Sequence, residues 1–366
     1  MHGAPPVRRS IGCFLAAAAA AASLYGAAKA LQALWVGDAP GPAGLTREWT
    51  TRRFGVTWEV SRKVEAEDLK WLASTGANGI VQMPFPRQPR PDDPAIEDPD
   101  LRVWGQRERG LRQTSRLAHE YGIATILKPH LFIGEPNSGL WPGDIRLRSM
   151  ADWGVWFANY RKMILRYAEI AAEEGMEAFC VGAELRQTMS FEKEWRSLIA
   201  DVRRVYPGVV MYSVNWDDYE EFTFPDAVDV IGVQAYFPLA YSRRPSRHEI
   251  QAGWEHALRN FEKWVARVGK PIVFTEVGFH SCQGSLGRPW EWHFPGMATD
   301  FGLQADAYDV TLDVLRRKPW LRGLYFWKWL PDHSREALGG DDDFHPQGKP
   351  AEEIMRRHFQ EETKIR

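Results

Sequence analysis

The chain has 366 residues, a formal charge of −2 and 44% apolar residues, enough for one large α/β domain or two ordinary ones. The near-neutral balance excludes the electrostatic footprint of a nucleic-acid binder, and no run of one charge sign reads as a binding tail. Seventeen tryptophans imply either a large aromatic core or platforms for the apolar faces of sugar rings, because an indole is bulky and carries an N–H that wants a partner.

At the N-terminus, Arg8 and Arg9 precede an Ala-rich apolar stretch, 11–28, and Ala28-Lys29-Ala30 supplies an A-x-A cleavage pattern. Residues 1–30 are therefore expected to be a secretory signal peptide cleaved after Ala30. The rival is an uncleaved N-terminal membrane anchor, since the stretch is long enough to span. The protein is accordingly expected to be secreted, periplasmic or attached to the cell envelope. Cys13 does not suit a lipid anchor, because the apolar run follows it. Residues 31–50 read as a Gly/Pro-containing linker, and a single folded domain is expected over 51–362.

From residue 52 the chain alternates. Strands are expected at 53–59, 78–85, 123–130, 177–185, 209–216, 229–237, 271–279 and 321–329, each a short apolar run of the kind covered on both faces. Helical spacing appears at 64–76, 151–175, 191–208, 253–270, 298–318 and 352–360, with a short, poorly marked helix near 218–226. Eight such units predict a (β/α)₈ TIM barrel of class α/β. A doubly wound open sheet is the runner-up, but no GxGxxG turn follows the first strand. The long loops 86–106, 131–149 and 280–298 all follow strands, where a barrel builds its catalytic face. Cys180 is expected as a small buried hydrophobe, with a Cys180–Cys282 disulfide as the less favoured alternative.

Two strand ends carry glutamates, Glu184 in EAFCVGAEL and Glu276 in PIVFTEVGF. Packing does not need them there. Strands 4 and 7 lie on opposite sides of an eight-stranded barrel, so both side chains can meet near the axis. Paired carboxyls are what glycoside hydrolysis requires, and their separation decides retention or inversion. The bland alternative for either glutamate is a structural pair with a cation such as Lys128. Other strand ends supply Trp58, Gln82, Lys128, His130, Asn215, Trp216, Gln234, Tyr236, Trp327 and Trp329. Trp327 and Trp329 alternate, so they are expected on one face, as core or as sugar platform. Tyr236 is either a barrel-core tyrosine or a hydrogen-bond donor to a catalytic carboxylate. His130 has no second ligand at metal spacing, so no metal is expected, and nothing demands a cofactor.

The segments LKPHLF (127–132), WPGDI (141–145), VGAEL (181–185), YSVNW (212–216), DVIGVQAYFPL (229–239), FTEVGF (274–279), YFWKW (325–329) and QGKPA (347–351) together resemble glycoside hydrolase family 113. The resemblance spans about residues 50–360. It implies a retaining (β/α)₈ glycosidase, β-mannanase-like, with Glu184 as acid/base and Glu276 as nucleophile. It also implies Lys128, His130, Asn215, Tyr236 and Trp327 around the reacting sugar, to which the strand-end aromatics Trp58, Trp216 and Trp329 are added as substrate-binding candidates. Many relatives carry Asn just before the acid/base, whereas this chain has Ala183, which leaves the group contacting the sugar 2-OH open. The expected activity is double-displacement hydrolysis of a β-linked polysaccharide or oligosaccharide, most readily β-1,4-mannan, with the Glu184 pKa raised before the first step. The alternatives are an envelope or exopolysaccharide-associated glycosidase or transglycosylase, and a non-catalytic glycan-binding barrel.

Overall fold

The computed structural model describes residues 45–97, 103–135, 138–331 and 342–364. The expected signal or anchor segment, 1–30, and most of the linker lie outside the described residues. Among those residues, no helix is long and apolar enough to cross a membrane.

Eight parallel strands close into a barrel. They are β1 (Arg53–Trp58), β2 (Gly79–Gln82), β3 (Ala124–Leu127), β4 (Ala178–Ala183), β5 (Val209–Asn215), β6 (Val230–Gln234), β7 (Ile272–Val277) and β8 (Leu321–Trp329). β1 pairs with both β2 and β8, which removes the free edges an open sheet would leave. The strands carry almost unbroken apolar runs because both faces are covered. Val81, Ile126, Cys180, Met211, Val273 and Tyr325 fill the interior. A larger apolar shell lies between the barrel and its helices.

The helices are α1 (Ala66–Ser74), α2 (Glu108–Glu120), α3 (Met150–Glu173), α4 (Glu192–Val205), α5 (Arg247–Val268), α6 (Phe301–Leu315) and α7 (Pro350–Lys364). Their starts are written in the sequence. Ser149 accepts a hydrogen bond from the Asp152 amide at α3, and Asp300 accepts one from Leu303 at α6. Ser246 and Glu249 form a reciprocal capping box at α5.

The helices depart from the sequence expectation at two places, and the cysteines decide between two alternatives. Helix α2 was not anticipated, because most of its buried face is Gly110, Thr114, Ser115 and Ala118 rather than large apolar residues. The short helix expected near 218–226 is instead two 3₁₀ turns, Tyr219–Glu221 and Pro225–Ala227. Cys180 and Cys282 are both free and buried, so the alternative of a disulfide between them is discarded.

One interior feature explains three glycines. The Tyr325 ring is fully buried inside the barrel, and β-carbons placed at Gly55, Gly79 and Gly323 would lie 3.1, 2.9 and 3.1 Å from its ring carbons. At Gly55 the added carbon would also lie 1.9 Å from the Gly79 carbonyl oxygen, so β1 and β2 would have to separate. Gly55→Ala should therefore lower stability by about 1–3 kcal/mol or more, as overpacking does. A denaturant titration checks this, and an unchanged midpoint would contradict the packing account.

Candidate active site

The chemistry-bearing side chains gather at the C-terminal mouth of the barrel. Lys128 and His130 follow β3, and two-residue alternation aims both inward. Lys128 is fully buried. Its ammonium forms a close ion pair with Glu276 Oε1 and donates to Gln234 Oε1 at 2.7 Å. Gln234, at the end of β6, turns its amide nitrogen to Glu184 Oε1 in a short hydrogen bond and lies 3.4 Å from Asn215 Oδ1. His130 Nε2 stands 3.2 Å from Glu184 Oε2. Tyr236 donates its hydroxyl to Glu276 Oε2 at 2.8 Å. Tyr236, Glu276, Lys128, Gln234, Glu184 and His130 thus form one continuous chain of polar contacts, with a glutamate at each side of the Lys128–Gln234 bridge.

Glu184 follows β4 with φ of 58°, the one described non-glycine residue in the left-handed region. That conformation costs an ordinary L-residue roughly 1–2 kcal/mol, and it persists where surroundings over-determine it. Here the Glu184 amide still donates to the Ser213 carbonyl at 3.2 Å, while the carboxylate is held by Gln234 and His130.

The electrostatics correct one expectation. Burial pushes the Glu184 carboxyl up, but His130 and Lys128 more than offset it, and the group is held below the ordinary glutamate range. The raised pKa expected from the sequence is absent in the free site, because His130 and Lys128 beside Glu184 outweigh desolvation. Burial and then Glu276 push the Tyr236 hydroxyl well above its ordinary value, which keeps it a donor.

Other predicted residues are distributed as follows. Asn215 is buried at the end of β5, beside Gln234. Trp216, the next residue, alternates away from that set and is half-buried, stacked on Trp290 at 5.1 Å and 18°. Trp58 and Trp327 are buried and line one small cavity with Gln82, Met83 and Phe85. Trp329 is fully buried against Trp71 of α1, with ring centroids 4.6 Å apart. The expectation that Trp327 and Trp329 share a face is corrected. Between Val56↔Phe326 and Trp58↔Trp329 the register shifts by a residue, so the alternation breaks; Trp327 joins the inner cluster and Trp329 the helix-facing shell.

Sequence reasoning noted Gln234 only as a strand-end residue. Its signal was two-residue spacing from Tyr236, which puts both on one face. Asp218 was also missed. It is buried after β5, accepts the Asn215 amide at 2.7 Å through Oδ1, and has no partner for Oδ2 among the described residues.

A family model for Glycoside Hydrolase Family 113 matches residues 49–349. The chain belongs to glycoside hydrolase family 113. Among solved structures, it is similar to the family's β-mannanase from Alicyclobacillus acidocaldarius in complex with ManMIm, at 29% identity and a TM-score of 0.73, covering 88% of this chain and 99% of that one. A second family 113 β-1,4-mannanase complex matches at 25% identity and a TM-score of 0.74, covering 85% and 99% of the two chains. A β-glucuronidase from Ruminococcus gnavus, at 14% identity and a TM-score of 0.56 over 84% of this chain and 50% of its own, shares the fold alone. No curated protein matches the chain. As a family 113 member, it is a glycoside hydrolase that acts on carbohydrate.

Asp218 gives this family member a pH signature. Burial favours its neutral carboxyl, and the pKa is pushed up to about 7, against about 3.9 in an unfolded chain. A raised folded-state value means the contribution to stability is complete below pH ~4 and is lost as the pH climbs through 7. Asp218→Asn keeps the Oδ1 acceptor and loses the titration. Its stability relative to the parent should therefore rise between pH 4 and 7, by up to about 4 kcal/mol. Denaturant midpoints across that range check this, and a difference independent of pH would contradict it.

Proposed function

We propose that the protein is a retaining hydrolase of β-1,4-mannan that works by double displacement. Glu276 attacks the anomeric carbon while Glu184 protonates the departing glycosidic oxygen, giving a glycosyl-enzyme. Glu184 then takes a proton from water as that water releases the sugar from Glu276. The observation that carries this reading is the polar chain joining the two carboxyls across the mouth of the barrel. A non-catalytic sugar binder has no use for such a linked pair.

The neighbours divide the two roles. Lys128 and Tyr236 place hydrogen bonds on both oxygens of Glu276, which fixes its direction, as a nucleophile requires. Glu184 is half-buried, and a sugar that excludes water favours its neutral, proton-donating form. Once Glu276 is bonded to the sugar its negative charge is gone. The field holding a proton on Glu184 then weakens, and the same group serves as base. Mannan as the polymer is supported by the two β-mannanase structures, matched along nearly their whole length. The N-terminal segment supports export, with the enzyme either released or tethered at the envelope.

Hydrolysis of β-1,4-mannohexaose by the parent and by Glu276→Gln tests this reading. The variant should lose about 10³-fold or more in kcat. It should also be less stable by about 3–5 kcal/mol, because buried Lys128 loses its counter-charge, so both proteins are assayed where circular dichroism shows them folded. NMR of the first products should show the β-anomer. Full activity in the folded variant, or the α-anomer appearing first, would overturn the assignment.

A further inference from the structure

We infer that Trp290 and Trp292, on the loop after β7, are two sugar-stacking platforms that hold a β-linked chain on either side of the bond being cleaved. The inference rests on the glycosidase reading and adds to it the residues that grip the chain beyond the reacting sugar.

Exposed aromatics are concentrated at one place. Tyr241, Trp290 and Trp292 are 81%, 39% and 56% exposed, while most of the other described tryptophans are buried or half-buried. Indole exposed to water forgoes burial that would stabilise the fold, and clustered exposed apolar surface marks a contact site more often than a single stray residue does. All three sit on loops after β6 and β7, the side of the mouth that carries Tyr236 and Glu276.

Each tryptophan continues a wall of the site already described. Trp292 meets Trp327 edge-on at 6.0 Å and Phe344 at 5.7 Å, with the Lys328 ammonium 5.7 Å from its ring centroid. Trp290 lies flat on Trp216, whose neighbour Asn215 touches the Gln234 bridge. The loop, which follows β7, therefore touches the β8 side of the mouth through Trp292 and the β5 side through Trp290. Trp216 was named among the substrate-binding candidates. Its face is taken by Trp290, which carries the aromatic surface outward.

The loop is held in place, so its platforms are preformed. At its base, the Gln283 amide N–H donates to the Ala298 carbonyl at 2.9 Å and the Asp300 amide N–H to the Ser281 carbonyl at 2.7 Å. Further along, the Leu239 amide N–H donates to the Leu286 carbonyl at 2.8 Å, pinning the loop to the segment after β6. The Glu291 amide N–H donates to the Arg288 carbonyl at 3.0 Å, closing a turn around Trp290. A rigid aromatic surface binds a ring with little ordering cost. Pyranose rings linked β-1,4 present flat apolar faces along an extended chain, which suits two indoles on one loop.

The test uses the full protein, its Trp290→Ala and Trp292→Ala variants and the corresponding Phe replacements, with β-1,4-mannotriose and β-1,4-mannohexaose as probes. Each Ala variant should lose about tenfold or more in kcat/KM on mannohexaose, through KM, the loss expected when about 1.4 kcal/mol of stacking is removed. The loss on mannotriose should be several-fold smaller, and the Phe variants should recover most of it. Equal losses on both sugars would mean general damage and overturn the proposal, as would no loss on mannohexaose. A parent inert on both sugars would overturn the mannan reading and this inference together, whereas an active parent with unimpaired Trp variants would overturn this inference alone.

Discussion

A lysine ammonium with no solvent exposure sits among the barrel's strand ends, and the rest of the site is arranged around it. Taking that charge out of water costs several kcal/mol, and only close, well-directed partners offset it. Lys128 finds two, the Glu276 carboxylate and the Gln234 carbonyl. Gln234 must then point its amide nitrogen the other way, and Glu184 is what it meets. The orientation of one amide is thus fixed from one side by a cation and from the other by an anion. That single constraint positions two carboxyls from strands separated by two others in the barrel. Glu184 is also held below the ordinary glutamate range in the free site, by His130 first and then by Lys128 and Gln234.

The scaffold supports this precision by closure. Eight paired strands leave the site residues on rigid ladder ends rather than on free loops, and rigid support is what holds a catalytic geometry. The interior is filled by Tyr325, whose bulk is accommodated by glycines on β1, β2 and β8. The cost of holding Glu184 at positive φ is borne by this packed frame. The loops after β6 and β7 carry the exposed aromatics Tyr241, Trp290 and Trp292.

Much of this was legible in the sequence, for identifiable reasons. Parallel strands covered on both faces read as uninterrupted apolar runs, so all eight strands could be found. A glutamate closing such a run has no packing role, so Glu184 and Glu276 stood out. Two-residue alternation put Lys128 with His130, and the structure joins both to the glutamates. The failures are equally physical. Helix α2 buries small and polar residues, which periodicity of large apolar residues does not detect. Alternation put Trp329 on one face with Trp327, and one residue of register shift in β8 sends it to the helix layer. Gln234 escaped because an amide has no charge to draw notice, although it is the bridge between the carboxyls. Asp218 escaped because its importance comes from burial against a loop whose path the sequence does not state.

The central claim is that Glu276, oriented by Lys128 and Tyr236, becomes covalently bonded to sugar. The most direct measurement is to incubate the enzyme with a 2-deoxy-2-fluoro-β-mannoside bearing a good leaving group, then digest it and locate the label by mass spectrometry. The account predicts one added fluorosugar on the peptide containing residues 271–279, attached at Glu276. A label on Glu184, or sustained turnover of a natural manno-oligosaccharide with no label trapped at either glutamate, would contradict it.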